Sequence, residues 1–99
     1  MIYHVVSKEQ WEKALEQGFY EAPSLSLEGF IHLSEQNQVA GVLKRYYVGH
    51  FNLLLLHVDE NKLTAPLKYE IAPSIDETFP HLFGQLNLEA VVNVTSIGE

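Results

Sequence analysis

Residues 52–58 are apolar at nearly every position, with Leu53, Leu54, Leu55 and Leu56 in unbroken succession. A strand with one face in water alternates apolar and polar side chains, whereas a strand covered on both faces reads as a continuous apolar run. This segment therefore predicts a central strand, and the remaining elements must be placed around it.

Before it, two strand–helix units are legible. Residues 2–6 form a short β-branched and aromatic run ending at Ser7, the signature of a strand. Ser7 followed by Gln10 reads as a helix cap, Trp11, Ala14 and Leu15 supply an apolar stripe, and Gly18 provides the stop. Residues 19–28 contain Pro23 and no clear period, which predicts a loop entering a second strand at 30–33 through Gly29. Ser34 is the expected cap of a second helix, in which Val39, Val42, Leu43, Tyr46 and Tyr47 repeat at helical spacing with the aromatic end buried, and Gly49 closes it. After the central run come a strand at 67–71, a loop at 72–79 containing Pro73, and a final strand at 90–97. The order is βαβα followed by consecutive strands, which predicts an α+β fold with a mixed or split sheet, residues 1–99 forming a single domain.

Composition narrows the chemistry. A chain of 99 residues with 46% hydrophobic content has room for one core. With no cysteine, disulfides, thiolate catalysis and cysteine-type zinc sites are excluded, so histidine and carboxylate must carry any reaction. A net charge of −7, with Lys44-Arg45 as the one basic pair, disfavours general nucleic-acid binding. The longest apolar run is far below the ~20 residues that span a bilayer, and the pattern of residues 1–4 leads one to expect no secretion signal. The expected setting is soluble and cytoplasmic. Glycine-rich phosphate loops, Ser-His-Asp signatures and helical His-x-x-x-His pairs are all missing from the sequence, which removes the usual nucleotide-hydrolase, serine-hydrolase and metalloprotease readings.

The candidate residues stand out against strand alternation. His4 shares a face with Ile2 and Val6, and His32 shares one with Phe30 and Ser34. If the two strands are neighbours, both imidazoles converge on one ligand, each a donor or acceptor according to its tautomer. Ser34, as a helix cap, would add free N–H groups suited to an anion. His81 lies between Pro80 and Gly84 in residues 79–84, a stretch expected to be a rigid loop. Glu70 sits in an otherwise apolar strand, where it can orient a histidine or serve as acid or base. His50 and His57 receive no role.

Taken together, His4, Trp11 and Ala14, residues 26–34 (running Ser26, Leu27, Glu28, Gly29, Phe30, Ile31, His32, Leu33, Ser34), Tyr69-Glu70 and residues 79–84 resemble the bacterial domain-of-unknown-function family 952 over nearly the whole chain. That family is similar in fold to the ADP-ribosyltransferases, and in motif style to the tRNA 2′-phosphotransferase branch. The resemblance implies an NAD pocket in which His4 and His32 match the two pocket histidines, His4 on a ribose and His32 against the nicotinamide ribose or pyrophosphate. It further implies loss of nicotinamide through an oxocarbenium-like state. Phe30 and Ile31 precede His32 where the RNA-processing branch places an arginine, which argues against a phosphorylated RNA substrate. For the third catalytic position, Glu70, His81 and Gln85 compete.

Three functional expectations result. The first is an NAD-dependent, ADP-ribosyltransferase-like or NAD-cleaving enzyme using His4, His32, His81 and Glu70, with His4, His32 and Ser34 holding the ligand. The second is a non-catalytic module binding a small anion or nucleotide in the same cleft. The third and weakest is a divalent metal site of His4, His32 and His81; no metal is the expected state.

Overall fold

A computed structural model describes residues 1–72 and 75–97. The apolar run becomes β4 (Leu53–Val58), flanked by β1 (Ile2–Ser7) and β8 (Val91–Ser96) in a three-stranded sheet of order β1-β4-β8. β4 is central, as its composition requires. Leu53, Leu56 and Val58 are buried, while Leu54, Leu55 and His57 are partly exposed, so the second face is covered less completely than the apolar run implies. A second sheet has the order β3 (Ile31–His32), β6 (Glu77–Leu82), β5 (Leu67–Ala72), and β2 (Phe19–Tyr20) pairs with β7 (Leu86–Asn87).

All pairings among the described residues are antiparallel. The two three-stranded sheets meet at one bridge, where Tyr3 and Ser34 each donate an N–H to the other's carbonyl at 2.8 Å. The expected α+β fold is present, and its sheet is split rather than mixed.

The first helix, α1 (Lys8–Gln17), follows the local signals closely. Ser7 Oγ accepts from the Gln10 N–H at 3.1 Å, and Gly18, at φ 93°, takes the left-handed conformation that glycine adopts without steric penalty. Trp11 and Ala14 enter the core beside Ile2, Val6, Leu56 and Val58. Leu15, expected on the buried stripe, is 55% exposed, because the inward face of α1 is only as wide as Trp11 and Ala14.

Several expectations change. Residues 19–28 are not a loop: they hold β2 and α2 (Pro23–Glu28), which starts on Pro23 and stops at Gly29 with φ 93°. Proline near the start and glycine just past the end are proper helix punctuation, but six residues are too few to show a period. β2 is a two-residue strand whose partner lies more than sixty positions away, so nothing local announces it. Ser34 does not cap a helix, since its backbone is committed to Tyr3. The turn begins one residue later, where Glu35 and Gln38 form a capping box on a 3-10 turn, Gln36–Gln38, leading into α3 (Val39–Tyr46). The aromatic end of α3 is not buried: Tyr46 is 61% exposed and Tyr47 half-buried.

The stretch around Pro80 is not a loop but β6, the middle strand of its sheet. Proline lacks a ladder donor and argues against a central strand. It is tolerated because β3 is only two residues long and ends beside it, with the Pro80 carbonyl accepting from Leu33 N–H at 3.0 Å. Part of the loop expected at 72–79, including Pro73, lies outside the described residues. The final strand, β8, begins one residue later than expected, after a 3-10 turn at Leu88–Ala90, and ends one residue earlier. The Cα radius of gyration, 12.7 Å, is that of a close-packed chain of this length.

Candidate functional site

The register of the second sheet assembles the site. His32 in β3 lies directly opposite His81 in β6, and His81 lies opposite Lys68 in β5. Cross-strand partners share a face, so the two imidazoles meet with ring centroids 5.4 Å apart, edge to face at 74°. Phe30 stacks flat on His81, 4.2 Å between centroids and 9° between planes, and meets the His32 ring at 4.8 Å. Phe83 lies 5.4 Å from Phe30, and the Lys68 ammonium stands 5.6 Å above the Phe83 ring.

Each of these histidines has a carboxylate partner. Glu70 Oε1 is 3.2 Å from His81 Nδ1, and Glu28 Oε1 is 3.3 Å from His32 Nε2. The two pairs differ in environment. His81 is buried, and its neighbouring Glu70 carboxylate fixes both the ring orientation and the protonated nitrogen: Nδ1–H donates, leaving the Nε2 lone pair available to accept a proton. The His32–Glu28 pair is about half exposed on both sides, so solvent screening leaves it little energetic weight.

His4 occupies a different position. Its Nδ1 is 2.7 Å from the backbone carbonyl of His32 and its Nε2 is 2.8 Å from the Tyr20 hydroxyl. A carbonyl only accepts, so Nδ1 carries the proton and donates. The neutral ring then has only a lone pair at Nε2, and Tyr20 O–H must donate to it. Burial lowers the His4 pKa to about 4, the hydrogen bond to His32 opposes that, and the nearby His32 ring adds a smaller depression. Burial likewise raises the Tyr20 pKa, with a further push from Tyr47. His4 is therefore a neutral imidazole with both nitrogens engaged.

The structure thus gathers His32, His81 and Glu70 and joins His4 to them through the His32 backbone. Ser34 is buried at the bridge to Tyr3. Gln85 Nε2 donates to Glu21 Oε2 at 2.9 Å, away from the histidine pair, which separates it from Glu70 and His81. Phe30, Glu28, Lys68 and Tyr20 were not singled out in the sequence. The first two lie within the motif at 26–34, Lys68 becomes significant only through register, and Tyr20 sits in a strand with no local signature. Among the described residues, no group of three His, Cys, Asp or Glu is close enough to hold a metal ion, and no helix is long and apolar enough to cross a membrane.

These features define a small α+β protein with a split antiparallel sheet and a histidine–carboxylate cluster on one half. The chain belongs to the family described as protein of unknown function (DUF952), whose profile matches residues 5–94. It is similar to the crystal structure of protein CC0527 from Caulobacter crescentus, at 32% identity and a TM-score of 0.89, over 98% of this chain and 85% of that one. The crystal structure of a double mutant of CC0527 matches at 31% identity and a TM-score of 0.88, with the same coverage. The solution NMR structure matches at 32% and 0.83, over 97% of this chain and 83% of that one. A comparison with curated proteins finds no match.

Proposed function

We propose that this chain is an ADP-ribosyltransferase-like enzyme that binds NAD, or a related ADP-ribose-bearing molecule, beside the His32–His81 step and cleaves the bond between ribose and nicotinamide. The observation that carries the reading is the pair of histidine–carboxylate contacts, at 3.2 and 3.3 Å, on either side of one cross-strand histidine pair.

When nicotinamide leaves, positive charge develops on the ribose ring, and a carboxylate already in place stabilises it without reorganising. Glu70 is suited to that role, because half of its side chain remains open to a ligand. As the ribose C1′–N bond breaks, the electron pair departs with nicotinamide. A water or acceptor hydroxyl bonds to C1′, and its proton passes to the free Nε2 of His81. Phe30 and Phe83 provide an apolar wall for the aromatic leaving group. Two carboxylates, Glu28 and Glu70, stand at the cluster against one cation, Lys68, so the local charge suits the cationic nicotinamide-ribose half better than the diphosphate. NAD serves here as substrate, which accords with a cytoplasmic setting.

The test is to incubate the chain with NAD and follow free nicotinamide by chromatography. Glu70→Gln and His81→Ala are each expected to slow release by about 10²-fold or more, the usual contribution of a positioned acid or base. Saturable NAD binding without turnover in the parent chain would eliminate the enzyme in favour of the second reading, a nucleotide-binding module. That reading is favoured by one observation: His4, expected among the catalytic residues, has both nitrogens already engaged, so one of the four expected catalytic groups is withdrawn, and a binding module would rely on His32 and its neighbours. Absence of binding by calorimetry removes both.

A further inference from the structure

We infer that His4 is a wedge that ends the pairing of β1 with β3 next to the His32–His81 step, with the His32 carbonyl setting its tautomer and Tyr20 satisfying its other nitrogen. Its importance for turnover rests on the proposed NAD reading; the wedge itself does not. His4 is on this view a positioning residue that acts through the backbone of His32.

The argument is one of register. Tyr3 and Ser34 exchange both backbone hydrogen bonds. In an antiparallel ladder such exchanges recur every second residue, so the next would join Val5 to His32. Pairing between these strands nevertheless stops at a single bridge. The His32 carbonyl, which a continued ladder would assign to the Val5 N–H, is held instead by His4 Nδ1 at 2.7 Å. A side chain has replaced a backbone donor, and among the described residues no further bridge joins β1 to β3 beyond that point.

Histidine suits this task because its ring offers a donor on one nitrogen and an acceptor on the other. The carbonyl takes the donor, and the Tyr20 hydroxyl from β2 satisfies the acceptor at 2.8 Å. Tyr20 is almost wholly buried, so its O–H has a stable partner only if Nε2 is unprotonated. The groups around the ring are therefore Tyr20 from β2, His32 from β3 and, beyond Tyr20, Tyr47 after α3. His32 is held on one side by pairing with His81 and on the other by His4, which fixes where its own ring projects.

NMR tests this without any ligand. Long-range nitrogen–proton correlations in the parent chain at neutral pH are expected to show His4 protonated at Nδ1 and bare at Nε2; the opposite tautomer overturns the wedge. In His4→Asn, whose amide nitrogen can take the place of Nδ1, amide exchange at Val5 and His32 is expected to stay within twofold of the parent. In His4→Val the ladder is expected to continue, slowing exchange at both amides at least tenfold, and unchanged exchange in a folded His4→Val variant refutes the inference. If His4→Val does not fold, Tyr20→Phe decides: Nδ1 should keep its proton and its bond to His32, and loss of that bond overturns the proposal. Nicotinamide release by His4→Asn separates the two layers. An unchanged Val5 and His32 exchange pattern with retained turnover supports positioning, and a chain that releases no nicotinamide while passing the NMR tests defeats only the NAD reading.

Discussion

His4 should make this protein sensitive to acid in a defined window. Its pKa falls from 6.5 to about 4 on folding, mainly because burial disfavours the imidazolium. A depressed folded pKa means that the unfolded chain binds more protons between these values, so stability is fully present above pH 6.5 and is lost as pH falls towards 4. At ~1.4 kcal/mol per pH unit of difference, the His4 contribution lost across that window is about 3 kcal/mol, a large part of the 5–15 kcal/mol typical of a domain. Carboxylates titrate near the lower end, so the measurement must be a difference. Urea denaturation followed by the fluorescence of the buried Trp11 should be run on the parent and on His4→Asn at pH 7.5, 6.5, 5.5 and 4.5. The variant loses the titration and keeps a donor for the His32 carbonyl. The stability gap between parent and variant should therefore shift against the parent by about 3 kcal/mol over the window. Two curves that run parallel from pH 7.5 to 4.5 would refute the claim that His4 is buried and neutral.

Three other perturbations address the fold. A Cβ added at Gly84 would lie 2.7 Å from the Ala65 Cβ, so Gly84→Ala should destabilise by about 1–3 kcal/mol through overpacking, and adding Ala65→Gly should restore part of the loss in a thermal melt. Leu56→Ala empties a fully buried position in the central strand and should cost about 2–5 kcal/mol in urea. Ser7→Ala removes the side-chain acceptor at the start of α1 and should cost about 1 kcal/mol, read from the same denaturation curves; no change would mean that the cap is satisfied by solvent.

The elements that were legible carry their own signals. β1, α1 and β4 can be read from residues within a few positions of one another: Ser7 and Gly18 punctuate the helix, and four consecutive leucines mark the inner strand. His32 and Glu70 stood out as polar residues in apolar strands, and His81 by its place between Pro80 and Gly84, although that stretch is a strand and not the expected rigid loop. What failed depended on partners far along the chain. β2 exists because Leu86 and Asn87 pair with it. Ser34 missed its cap because Tyr3 claims its backbone, and β6 tolerates Pro80 because its short neighbour β3 ends there. Phe30 and Lys68 acquire meaning only when register sets them beside His81 and Phe83.

By itself the sequence determined a small acidic α+β chain with an inner leucine strand, a capped first helix and a chemistry confined to histidine and carboxylate, because composition and periodicity act locally. Only the tertiary structure decided which histidines meet. Strand register joined His32 to His81 across β3 and β6, while a single bridge between half-sheets left the His32 carbonyl for His4 and turned the first-strand histidine into a buried, fully bonded wedge. Register depends on the simultaneous burial of strands distant in sequence, and no local pattern encodes it.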